Sequence, residues 1–128
     1  SFSLDGTLQI STDTNGRYVV ASKGTVFRIA QTSSGLPINT SVVANLSDIS
    51  GDTTILRVDS LQEAQNTGDQ GTGNFLAYPI YFGARGGTSL FFNGYEDTSI
   101  VRFGPNLDDT TISKVESYVA SKTPEPTL

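Results

Sequence analysis

The sequence predicts a mainly β protein, an antiparallel β-sandwich or barrel of about eight strands with one C-terminal α-helix. Three observations carry this expectation. Ser and Thr make up about a quarter of the chain, a composition that favours strands and turns over long helices. Short alternating apolar runs recur at roughly 8- to 12-residue intervals with turn residues between them. Helical periodicity is convincing in one place, near the C-terminus.

The elements follow in order. Thr7–Ser11 alternates, with Leu8 and Ile10 on one face, and Arg17–Ala21 follows the Asn15-Gly16 pair. Asn-Gly tolerates positive φ at both central positions of a tight turn, so the two runs form a hairpin. Thr25–Gln31 sets Phe27 and Ile29 opposite Arg28, and Thr40–Leu46 reads as the next strand after a loop. Thr53–Val58 holds Ile55 and Leu56 on opposite faces. Ser60 and Glu63 have capping-box spacing, which predicts one or two helical turns ending near Gln65. Asn74–Phe82 reads as a long strand, placed at an edge and bent or bulged because Pro79 cannot donate to a ladder. Thr88–Phe92 and Thr98–Phe103 flank a second Asn-Gly turn and make a second hairpin.

The helix is expected over Thr110–Ser121. Ile112, Val115 and Val119 share a face with Tyr118 beside them, Asp108 and Asp109 stand at its start, and Lys122 stands at its end. Residues 1–122 are read as a single β-rich domain and 123–128 as an extended tail. The chain opens Ser1-Phe2-Ser3 and contains no Met, so it is read as processed or excised.

Composition closes several chemistries. Cys and His are both absent, which excludes disulfides, thiolate nucleophiles, His-ligated metals and Ser-His catalysis. The net charge is −5, and the eight basic residues are scattered, so nucleic acid is not an expected partner. No apolar run has the length of a membrane span, and membrane insertion is not expected.

Candidate sites were each set against a simpler role. The glycine-rich stretch from Gly68 to Gly73 lacks the helix that a phosphate loop requires and reads as a loop feeding a strand. Asp13, Asp48 and Asp52 gather too few local oxygens for calcium and read as turn residues. Glu96–Asp97 and Asp108–Asp109 are adjacent pairs, whereas a glycosidase couple faces itself across a cleft. No catalytic residue, cofactor or metal is assigned. The sequons at Asn39 and Asn45 carry no weight.

The aromatic set is more informative. Alternation along a strand cannot bury every ring between Phe75 and Tyr95 in one core, so part of this set is expected to face outward. Phe75, Tyr78, Pro79, Tyr81, Phe91 and Tyr95 are the candidate interface. The expected function is a noncatalytic structural subunit of a larger assembly, such as a virion decoration or cement protein or a tail protein. Its partners would be copies of itself and a shell or fibre protein, reached through β-edges and terminal arms. The virion or an extracellular surface is the favoured location. Two alternatives stand beside it: an extracellular recognition module binding glycan or protein through loops, and a small carboxylate-dependent hydrolase.

Overall fold

The computed structural model describes residues 4–34, 41–84 and 96–122. Six strands and one helix appear among them: β1 (Thr7–Thr12), β2 (Tyr18–Lys23), β3 (Phe27–Gln31), β4 (Val43–Asp48), β5 (Thr53–Val58), β6 (Leu61–Asn66) and α1 (Asp109–Lys122). They form two three-stranded antiparallel sheets, ordered β1-β2-β3 and β4-β5-β6, so every connection within a sheet is a hairpin.

The first hairpin turns near the Asn-Gly pair but not by the expected tight turn: Gly16 N donates to the Asp13 carbonyl at 3.1 Å, so Thr14 and Asn15 are the central residues, and Gly16 alone of the pair takes a positive φ. Gly16 sits at φ 75°, a conformation that costs a residue with a Cβ about 1–2 kcal/mol. Asp13 holds the turn closed. Its Oδ1 accepts from the backbone N–H groups of Asn15 at 2.9 Å and Arg17 at 3.0 Å, and its Oδ2 from Arg17 Nε at 2.6 Å.

The register places Ile10, Val20 and Ala30 side by side in one sheet, and Asn45, Leu56 and Ala64 side by side in the other. Val20, Ala30, Leu56 and Val58 form the buried apolar cluster where the sheets meet, with Tyr18, Val43 and Ala64 packed around it. Polar groups cross the same gap. Ser22 Oγ lies 2.7 Å from Thr54 Oγ1, and Asn45 Nδ2 donates to the carbonyls of Gln9 and Ala21 at 3.1 and 3.3 Å. Each of these groups is satisfied, which is the condition for burying it cheaply.

Alternation along β5 then fixes the place of the helix. Leu56 faces the other sheet, so Arg57 faces away from it, and α1 meets Arg57 on that far side. A bulge falls at the same point: Leu56 pairs with Ala64 while Arg57 pairs with Gln62, leaving Glu63 as the extra residue.

Several expectations are corrected. The described strands number six, not about eight, and they do not close into a barrel. The Ser60–Glu63 spacing does not start a helix, because Asp59 and Ser60 take φ 48° and 70° and turn the chain directly from β5 into β6. A two-residue turn with both φ positive matches the twist of a hairpin, so pairing with β5 overrides the capping signal. Asn74–Phe82 and Thr98–Phe103 belong to no sheet, and the first turns at Ala77, where Tyr78 N donates to the Leu76 carbonyl at 2.8 Å. Thr88–Phe92, the turn after it and the tail 123–128 lie outside the described residues.

Candidate interaction surface

The chain leaves β6 through the glycine-rich loop, and Gln70 pins that loop in place. Its side chain is fully buried between the sheets. Ser22 Oγ donates to Gln70 Oε1, and Gln70 Nε2 donates to the carbonyls of Asp48 and Thr53, both at 3.2 Å. The backbone N–H of Gln70 donates to Asp52 Oδ1 at 2.8 Å. The loop is therefore a plug in the core, not a cradle for an anion.

Beyond the plug the chain makes one more anchored contact. Leu76 N donates to the Gly6 carbonyl at 3.0 Å, and a Cβ on Gly6 would stand 2.7 Å from Asn74 O and from Leu76 Cγ. Only glycine lets the two backbones approach so closely there. From this root the segment 76–82 projects apolar side chains into solvent, with exposures from 42% at Tyr78 to 60% at Phe82. The returning segment does the same at Ile100, Val101 and Phe103. The two segments touch through Phe75 and Phe103, whose ring centroids are 6.3 Å apart at 55°, a tilted aromatic pair.

The candidate residues therefore divide. Tyr78, Pro79 and Tyr81 are exposed on the outgoing segment, and Phe75 is half-buried at its root. Phe91 and Tyr95 lie outside the described residues. Sequence reasoning missed Leu76, Ile80 and Phe103 as parts of the same surface, although each sits in an apolar run that was read as a strand. It also missed the half-exposed Leu8 and Ile10 of β1.

The polar clusters have structural work. Asp108 caps α1, its Oδ1 accepting from Thr111 N at 2.7 Å, and that backbone bond holds its carboxyl below the usual aspartate range. Asp13 is lowered in the same way, chiefly by the N–H of Arg17. Asp48 Oδ1 accepts from Ser50 Oγ and Gly51 N within its own turn. Glu96 and Asp97 are exposed and line a shallow recess with Phe82 and Ser99. Among the described residues, no group of three or more Cys, His, Asp or Glu is placed to hold a metal ion, and no helix is long and apolar enough to cross a membrane.

The helix is held by charge. Arg57 and Glu116, with side chains 6% and 2% exposed, pair at 2.9 Å between Nη2 and Oε1, and Arg57 Nε donates to Oε1 at 3.1 Å. Arg57 Nη2 also donates to the Ser60 carbonyl at 2.9 Å, and Asp109 approaches Nη1 at 3.7 Å from an exposed position. Ile112 is buried on the same helical face, whereas Tyr118, expected beside that face, is 55% exposed under the Lys122 ammonium.

Comparison with protein-family models, with curated proteins and with solved structures returns no match to this chain.

Proposed function

We propose that the chain is a noncatalytic structural subunit of a larger assembly, of the kind that decorates or cements a virion shell or builds a tail. In this reading the two sheets are the layers of a β-sandwich, and the segments projecting from it are the joining parts. The observation that supports it most is the contrast between a core closed by Gln70 and an adjoining segment whose large apolar side chains from Leu76 to Phe82 stand 42% to 60% exposed. Exposed apolar surface on this scale is costly for an isolated molecule and ordinary for an interface not yet made. The rings lie along a segment that projects from the sheets and belongs to neither, whereas a recognition module would gather them in a concave loop end. A light-scattering mass measured after size exclusion tests the reading. Association into a defined oligomer, or binding to a shell lattice, is the expected result. A chain that remains monomeric at millimolar concentration would refute assembly through its own copies.

A further inference from the structure

The outgoing segment has an unmet need for backbone partners as well as for apolar cover. Among the described residues, the N–H groups of Ile80, Tyr81 and Phe82 have no backbone partner, and Pro79 has no N–H to offer. The stretch from Asn74 to Phe82 contains no charged residue. It has the composition of a strand and belongs to no sheet, it bends at Ala77 in a turn that strand addition would open, and among the described residues Leu76 alone joins it to the body by a backbone bond.

The same chain carries one edge suited to receive it. Among the described residues four strands lie at sheet edges: β1, β3, β4 and β6. Natural edges are blunted by charge, and three of these follow that rule, with Arg28 in β3, Asp48 in β4 and Glu63 in β6. β1, with the sequence TLQIST, has none. Its apolar residues are uncovered too, Leu8 at 44% and Ile10 at 49%, with Leu4 at 51% just before the strand.

We infer that the segment 74–82 of one copy adds as a strand to the β1 edge of a second copy, with the exchange made in both directions. This rests on the assembly reading above and names its partner and contact. Donor and acceptor on one chain are what a closed two-fold exchange requires, since each copy then satisfies the other. The area agrees. Five half-exposed side chains on the segment and three at the edge offer about 100 Å² each, so about 800 Å² per copy, the size of a standard interface side. Neither the segment 74–82 nor β1 carries a charged residue of its own.

Two variants test the contact by complementation. Ile10→Lys places a charge on the acceptor edge, and Tyr81→Asp places one on the donor segment. Both positions are about half exposed, so each variant is expected to keep the parent's circular dichroism and to melt within a few degrees of it. Leu8→Lys and Ile80→Asp replace either one that fails to fold. Each variant alone should raise the self-dissociation constant by about thirtyfold or more. A mixture of the two should re-associate into mixed dimers, because the intact segment of one meets the intact edge of the other. Variants that associate as tightly as the parent would overturn this contact and leave assembly through another surface standing. Loss of association that mixing does not restore would overturn the exchange as well, because it would place the segment on its own chain or on a different protein. A parent chain that is monomeric at millimolar concentration would overturn the exchange and leave binding to a shell protein as the form of the assembly reading still standing.

Discussion

Removing Glu116 tests what holds the helix to the sheets. In Glu116→Ala the Arg57 guanidinium keeps the Ser60 carbonyl at 2.9 Å but loses the carboxylate that met it at 2.9 and 3.1 Å. The remaining anion, Asp109, stands 3.7 Å away with a side chain 97% exposed, and a pair so exposed on one side contributes at most about 1 kcal/mol. Arg57 itself remains 6% exposed, so its charge is left buried and largely uncompensated. Stranding one member of a buried pair costs about 3–5 kcal/mol. Small domains have only about 5–15 kcal/mol of stability in total. At about 4 °C per kcal/mol for a domain of this size, Tm should fall by about 12–20 °C. The assay is a pair of urea and thermal melts followed by circular dichroism. Arg57→Met combined with Glu116→Leu should recover most of the loss, since apolar replacement of a buried pair is often neutral or stabilising. If Glu116→Ala melts within about 3 °C of the parent, the charge pair does not hold the helix and the argument fails.

Three further outcomes are expected. Ser60→Gly should raise Tm by several degrees, because Ser60 stands at φ 70° and glycine relieves about 1 kcal/mol of strain there; an unchanged or lower Tm would show that the turn is formed otherwise. Gly16→Val should destabilise by about 1–2 kcal/mol through backbone conformation alone, since no atom stands within 4 Å of the Cβ it would add; an unaltered melt would refute the φ of 75°. Asp108→Asn should matter only when the carboxylate is ionised. The folded state lowers the Asp108 pKa, so it binds that proton less readily than the unfolded chain does, and the stabilisation is complete above the unfolded value near pH 4 and lost as pH falls through the folded one. Melts between pH 2 and 7 should show parent and variant converging in acid, and a gap constant with pH would contradict the charge assignment.

What was legible in the sequence was local. The first hairpin, the alternation in β1 and β5 and the charged ends of α1 all act within a few residues and lie where periodicity places them, although the hairpin turns on Thr14-Asn15 with only Gly16 at positive φ. β6 was hidden because LQEAQN has weak strand propensity and a helix-start spacing, and only its register with β5 makes it a strand. The opposite error fell on 74–82. Aromatic alternation measures fitness for a half-buried pleated surface, and it says nothing about whether the chain's own fold supplies that surface. The Arg57–Glu116 pair joins positions 59 apart in sequence, and the buried Gln70 reads as one more polar loop residue. Neither leaves a local pattern. The aromatic surface was found through composition, while its acceptor edge needed three-dimensional knowledge of which strands lack a neighbour.

The Gln70 plug and the Arg57–Glu116 clasp have a consequence for how this chain tolerates change. Between them the described chain is fastened again at Leu76, whose N–H meets the Gly6 carbonyl. The entropy of closing a loop grows only with the logarithm of its length, so doubling it costs about 0.6 kcal/mol. An insertion beyond Phe82, past the Leu76 anchor, should therefore cost the body of the protein little. Asn74 and Leu76 are not open to such change, because Gly6 packs directly against both.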